Sequence, residues 1–253
     1  MNTAPKIIIQ ARIGSTRLPN KTILPFYKGN GIFSVLTDRL LSEFGGIDII
    51  LATSDLAKDD ILEHIASSKQ IQCYRGSEND VLQRFIDAAS HFGAEKIIRV
   101  CADNPFLDIP SLRHLYNEMA SNDLDYLSFA TSTGIPAIKT HFGFWAEATS
   151  LDALLKVKEL TKDILYHEHV TNFIYTHPDS FNIKLMTIPK EIENHQQIRL
   201  TIDTEDDFAI QKSIFETIFE EKKSFNAKDV CEFLDRNPKY YATMENEIKK
   251  NQK

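Results

Sequence analysis

The segment Gln10-Ala11-Arg12-Ile13-Gly14-Ser15-Thr16-Arg17-Leu18-Pro19-Asn20-Lys21 brings three cations, a glycine and two hydroxyl side chains into one short stretch. Cations separated by small residues suit a polyphosphate. Backbone N–H groups can approach it closely while Arg12, Arg17 and Lys21 neutralise its charge. A solvated basic loop has the same composition, so position decides between the two readings. The stretch follows the β-branched run Lys6-Ile7-Ile8-Ile9, which reads as the first buried strand of a parallel sheet. The loop therefore leaves the carboxyl end of a strand, where open α/β sheets bind ligands.

Two acids match it. Asp103 follows Lys96-Ile97-Ile98-Arg99-Val100-Cys101, and Asp203 ends Ile198-Arg199-Leu200-Thr201-Ile202. If both runs are strands of one sheet, both carboxylates emerge at the edge that carries the basic loop. Two carboxylates together with phosphate oxygens are a usual way to hold Mg²⁺, which keeps several waters and needs few protein ligands. Taken singly, Asp103 before Asn104-Pro105 is turn chemistry and Asp203 before Thr204 is helix capping. Their joint placement opposite a cationic loop favours the metal. Arg75-Gly76-Ser77 also closes a strand, where Ser77 and Asp80 can meet a nucleotide base or ribose, or Ser77 or Asn79 can cap the next helix. On a helix, His167 and His169 point to different faces, so no metal is assigned to them. Trp145 reads as core or dimer contact. The chain contains no G-x-x-x-x-G-K-[ST], G-x-G-x-x-G or G-x-S-x-G, which argues against a P-loop NTPase, a dinucleotide dehydrogenase and a nucleophile-elbow hydrolase.

The elements needed to position these residues are legible in outline. Strands are expected at residues 6–9, 47–52, 71–74, 96–101, 141–146, 182–188 and 198–203. Helices are expected at 32–44, around Ile61 to Ile65, from Val81, from Pro110, at 147–160, at 166–175, after Thr204 and at 228–234. Thr53-Ser54-Asp55 reads as a helix start. The tail from Glu245 is polar and expected to fray. This alternation predicts a three-layer α/β/α, Rossmann-like, mostly parallel sheet with right-handed crossovers. The character changes after Phe129, so residues 134–193 read as an excursion within one domain spanning 1–253.

With 253 residues, 42% hydrophobic and 26% charged, the chain is expected to fold without staples. The net charge of −7 disfavours nucleic acid as a partner and makes a small anion the natural ligand of one local basic loop. Cys73, Cys101 and Cys231 match no metal spacing and read as small core residues of a reducing compartment. The N-terminal residues have no signal-peptide pattern and no run is long enough to span a bilayer, so a cytoplasmic location and no membrane partner are expected.

The stretch Gln10-Ala11-Arg12-x-Gly14-Ser15-Thr16-Arg17-Leu18-Pro19-x-Lys21 resembles the motif of the acylneuraminate/3-deoxy-octulosonate cytidylyltransferases, and most of all the branch named for spore-coat polysaccharide biosynthesis (SpsF-like). Residues 75–85, Arg75-Gly76-Ser77-Glu78-Asn79-Asp80-Val81-Leu82-x-Arg84-Phe85, resemble that branch's second block. Arg99 to Asp108, Glu168-His169-Val170-Thr171 and Arg199 to Asp207 resemble three further blocks in order. The departure is Asn20, where glycine is the family's choice; Asn tolerates φ > 0 better than most residues.

The resemblance implies the nucleotide-diphosphosugar transferase fold with a dimerisation and acceptor-binding excursion over 134–193. It implies transfer of CMP from CTP to an anionic sugar, usually an ulosonic acid, with release of pyrophosphate, by a homodimer. The roles it implies are nucleotide binding by Ala11, Arg12, Gly14, Ser15, Arg17, Lys21, Arg75, Ser77, Asp80 and Asp103. Arg12, Lys21 and Asp103 would be catalytic, and Asp103 with Asp203 would hold Mg²⁺. Lys139, His141 and Lys184 are candidates to meet an acceptor carboxylate. Two other readings stand beside this: a nucleotide-binding module without catalysis, and a nucleotide-sugar glycosyltransferase, whose Asp-x-Asp motif has its nearest match in Asp123-Leu124-Asp125.

Overall fold

In a computed structural model the β-branched run after Pro5 forms strand β1 (Lys6–Gln10). The structure describes residues 4–15 and 17–251; Thr16 of the basic loop lies outside the described residues. Six more strands follow: β2 (Ile49–Ser54), β3 (Gln72–Gly76), β4 (Lys96–Cys101), β5 (Tyr126–Ala130), β6 (Glu147–Ser150) and β7 (Ile183–Thr187). Among the described residues they form one sheet in the order β3-β2-β1-β4-β6-β5-β7. Only β6 runs antiparallel to its neighbours, β4 and β5. The helices are α1 (Ile32–Leu41), α2 (Asp60–Ser68), α3 (Val81–His91), α4 (Ile109–Ser121), α5 (Leu151–Leu160), α6 (Ile164–Glu168), α7 (Asn172–Thr176), α8 (Lys190–Glu193), α9 (Glu205–Glu221), α10 (Ala227–Arg236) and α11 (Tyr241–Lys250).

Strand alternation sorts the core into the two faces of the sheet. Ile7 and Ile9 join one apolar layer with residues of α1, α4, α9 and α10. Ile8 joins the other with residues of α3, α5 and α7. The chain moves outward from β1 through β2 to β3, then returns to place β4 on the other side of β1. The carboxyl ends of β1 and β4 are thus side by side at the point where strand order reverses, which is where such sheets bind ligands. Gln10 pairs with Cys101 in the register, so the basic loop and Asp103 leave the sheet from neighbouring positions.

Several local expectations are corrected. Residues 141–146 and 198–203 are not sheet strands. They are buried segments bonded to each other and to a neighbouring loop: the Leu200 N–H donates to His141 O at 2.8 Å and the Ile202 N–H to Asp103 O at 3.1 Å. The strand in this region is β6, and Ser150 caps α5 by accepting from Ala153 N, so that helix begins later than 147. Thr53 and Ser54 complete β2 instead of starting a helix. The helix expected at 166–175 is two short ones, α6 and α7, separated by His169 to Thr171. Residues 134–193 do not simply leave the sheet, because they return β6 between β4 and β5 and β7 at the edge. The tail is helix α11, docked by buried Met244 and Glu247. Asn20 does adopt φ 61°, in keeping with its place in the basic loop.

Where 141–143 crosses 198–203, only glycine fits. Gly143 has φ +70°, and a Cβ there would stand 2.3 Å from Leu200 O. Gly143→Ala combines the left-handed penalty of roughly 1–2 kcal/mol with a backbone clash. The variant is expected to lose at least about 2 kcal/mol of stability, read as a lowered urea midpoint at unchanged slope.

Candidate active site

The basic loop is shaped from beneath by a buried acid. Asp59, at the start of α2, accepts from the Ile13 N–H at 2.7 Å and from the Ser54 N–H at 3.2 Å, and also bonds the Ser54 hydroxyl. It is fully buried, so these donors are its solvation. Gly14 then passes close to Lys58 and Glu78, which pair with each other; a Cβ on Gly14 would stand 2.8 Å from both side chains. Asp59→Asn would turn one accepting oxygen into a donor and leave a buried N–H without a partner. We expect a loss of about 1–3 kcal/mol in stability, checked by denaturant titration.

The loop's charged ends converge on the two acids. Lys21 Nζ donates to Ile202 O at 2.6 Å and to Asp103 Oδ2 at 3.1 Å, and lies 4.0 Å from Asp203 Oδ1. Arg17 bonds Asp203 Oδ1 at 2.8 Å and Asn251 at the end of α11 at 3.3 Å. Asp203 is held from its other side by buried Arg199, 3.1 Å from Oδ2, and Arg199 in turn forks onto Asp207 at 2.8 Å through both contacts. Asp207 also closes the α9 capping box with Thr204. Both acids lie beside Lys21, although Asp203 arrives on an irregular segment and not on a sheet strand.

Two cavities adjoin here. One, of about 340 Å³, is lined by Gln10, Ala11, Arg12, Gly14, Ser15, Arg17, Lys21, Asp103, Glu168, His169 and Asp203, among others. The other, of about 470 Å³, shares Arg17, Arg99, Cys101, Asp103, His169 and Asp203 with it and extends under Ala137 to Thr140, Trp145 and Tyr175. Arg99 forms the floor common to both. It is buried and pairs with Glu147 at 2.6 Å, while Gln10 Oε1 accepts from it at 3.0 Å. Thr171 and the Tyr126 hydroxyl complete the carboxylate's bonds, so the buried pair is satisfied on both sides. Burial pushes the Cys101 thiol up to about 11, and burial with the nearby Glu147 charge pushes Tyr175 up to about 12. Both are neutral at physiological pH, so neither offers a thiolate or phenolate at the site.

Not every candidate gathers there. Arg75 is drawn onto Ser54 O and Leu56 O and onto the carboxylates of Asp60 and Glu63. It braces α2 and lines neither cavity, because β3 continues through Gly76. Ser77 Oγ accepts from Asp80 N, and Asp80 caps α3 by accepting from Gln83 N and bonds His167 at 3.0 Å. Asp80, not Ser77 or Asn79, is the cap. This loop touches the basic segment through Glu78 O, which accepts from Arg12 at 3.0 Å. Of the three carboxylate candidates, Lys139 lines the larger cavity. His141 accepts from Arg199 at 2.7 Å, and Lys184 pairs with Glu118 on α4 at 2.5 Å. Asp125 accepts from Asn182 N and Ser150 Oγ before β5, at the sheet edge opposite the site, which removes the Asp-x-Asp reading. Glu168, 3.7 Å from Arg12, and His169 were missed as site residues; their block in the family resemblance was the available signal.

A sheet of this topology with a cationic loop and paired acids at its switch point defines a nucleotidyltransferase. The chain belongs to the cytidylyltransferase family, whose model matches residues 6–243. It is 31% identical over 236 residues to the spore coat polysaccharide biosynthesis protein SpsF of Bacillus subtilis, covering 91% of this chain and 94% of that one. It is similar to the structure of a cytidylyltransferase from Leptospira borgpetersenii, with 28% identity, a TM-score of 0.83 and coverage of 94% and 96%. A CMP:2-keto-3-deoxy-manno-octonic acid synthetase complexed with CTP shares the fold, at 16% identity and a TM-score of 0.63 over 85% of this chain and 99% of that one. The Rossmann-like α/β/α class expected from the sequence is the observed one. No helix among the described residues is long and apolar enough to cross a membrane.

Proposed function

We propose that this enzyme transfers CMP from CTP to a hydroxyl of an anionic sugar acid and releases pyrophosphate, in the service of surface polysaccharide or glycan synthesis. The observation that carries the reading is the meeting of Asp103 and Asp203 around Lys21 at the junction of two cavities. One cavity is lined by Arg12, Arg17 and Lys21 and the other takes only Arg17 from the cationic loop, an asymmetry that suits a nucleotide and a separate acceptor. In-line displacement at the α-phosphate needs positioning and charge neutralisation more than covalent catalysis. Arg12, Arg17 and Lys21 hold the triphosphate and stabilise the departing pyrophosphate, with Ala11, Gly14 and Ser15 giving its oxygens a close approach to the chain. Ser77 and Asp80 act on the nucleoside end by shaping the loop that holds Arg12.

The donor set fits Mg²⁺. Two hard carboxylates already surround one cation position, that of the Lys21 ammonium. Among the described residues no trio of His, Cys, Asp or Glu could hold a metal, so phosphate oxygens and water would complete the shell. When bound, such an ion neutralises phosphate charge and lowers the pKa of a coordinated hydroxyl. Lys139 meets the acceptor's carboxylate at the rim of the larger cavity.

The chain pairs as a homodimer through residues 134–193, a reading supported by Leu160, Ile164 and Leu165, which expose 53%, 77% and 50% of their surfaces at neighbouring positions; a monomeric mass in light scattering at micromolar concentration would refute it. The activity itself is tested with CTP, Mg²⁺ and a panel of sugar acids, scoring CMP-sugar by mass, with UTP and ATP alongside. Product with CTP and one acid supports the reading; absence of any CMP-sugar from nonulosonic, octulosonic and uronic acids overturns it.

A further inference from the structure

Three residues in the lining of the larger cavity carry buried polar atoms without a partner. Trp145 Nε1, Thr201 Oγ1 and Asn104 Oδ1 make no hydrogen bond, and their residues are only 6%, 9% and 7% exposed. All three residues line that cavity. An unpaired buried donor or acceptor costs about 1–3 kcal/mol, and native structures carry few of them without a reason. Trp145 is the chain's only tryptophan. Its ring is packed against Phe129, Phe142 and Phe144, which leaves the indole N–H little freedom to find another partner. Asn104 is the neighbour of Asp103. Thr201 stands two residues before Asp203.

We infer that these three atoms form the specificity subsite for the acceptor and read its hydroxyl groups. The inference rests on the proposed transfer to a sugar and assigns the residues that select it. An indole N–H can only donate and an amide oxygen can only accept. A ligand that satisfies both must present an acceptor and a donor, which adjacent sugar hydroxyls do. Because Asn104 and Thr201 share their loops with Asp103 and Asp203, hydroxyls bound to them fix the ring relative to the reacting centre. A site with polar groups waiting in its walls rejects an analogue that lacks the matching hydroxyl far more strongly than an apolar pocket rejects an extra methylene.

Trp145 also supplies the readout. Sugar acids are titrated into the full-length protein while indole fluorescence is followed, and the best binder is then used with CTP and Mg²⁺ in a pyrophosphate-release assay. The inference expects a saturable spectral change. Thr201→Val and Trp145→Phe should each raise the acceptor KM about tenfold, as loss of one hydrogen bond to substrate does, with the KM for CTP unchanged. A deoxy acceptor should discriminate against wild type and not against the variant lacking its partner. Folded variants with wild-type acceptor KM, or an equal shift in both KM values, would overturn the subsite while leaving the transferase reading intact. Wild-type protein that neither releases pyrophosphate nor changes its fluorescence with any sugar acid would overturn both.

Discussion

Asp103→Asn is expected to lower turnover by about 10²–10⁴-fold, a loss of several kcal/mol of charge stabilisation, and to raise the Mg²⁺ concentration needed for half-maximal rate. The substitution keeps shape and one accepting oxygen but removes the charge. Folding should hardly change. Asp103 is partly exposed, and Lys21 keeps Ile202 O at 2.6 Å and Asp203 at 4.0 Å. Asp203→Asn is the informative comparison. That carboxylate also answers Arg17 at 2.8 Å and fully buried Arg199 at 3.1 Å, so its variant should lose stability as well as rate. The measurement is a Mg²⁺ titration of pyrophosphate release beside thermal unfolding of both variants. An unchanged Mg²⁺ curve for Asp103→Asn would exclude it as a ligand. A chelator should silence wild type and be reversed by added Mg²⁺.

The legible part of this molecule is the part built from period and position. The runs at 6–9 and 96–101 are continuous and β-branched, and they became adjacent parallel strands; that adjacency alone sets the basic loop beside Asp103. The run 198–203 misled because periodicity reports burial rather than pairing. Ile198, Leu200 and Ile202 are buried, but their segment finds its hydrogen bonds on His141 and Asp103. Helix α11 was illegible because its anchor is long-range: buried Glu247 accepts from Thr204 Oγ1 at 2.9 Å, across 43 residues of sequence. Arg75 shows the reverse error. A cation at a strand end resembles a ligand contact, yet local acids on α2 capture it. Of the two readings of Trp145, core or dimer contact, the fold shows the ring in the core, while its unpartnered N–H is a fact of three-dimensional packing that no spacing encodes.

Lys21→Ala separates the two charges that the junction holds together. The ammonium is a compact point charge with three donors, placed between Ile202 O and two carboxylates. Its removal takes away one stabiliser of the leaving pyrophosphate, for which roughly 10²–10³-fold in kcat is the usual scale. The KM for CTP should also rise. The same change removes a positive charge lying 3.1 Å from Asp103 and 4.0 Å from Asp203, so the pair should attract a divalent cation more strongly. Half-saturation by Mg²⁺ should therefore fall in Lys21→Ala and rise in Asp103→Asn. Lys21→Arg should not restore the rate, because a planar fork cannot place its charge where the ammonium sits among three oxygens. Near-normal turnover in Lys21→Ala would remove the lysine from the reaction. A metal dependence that moves the same way in both variants would mean that the two acids serve to hold the lysine rather than the metal.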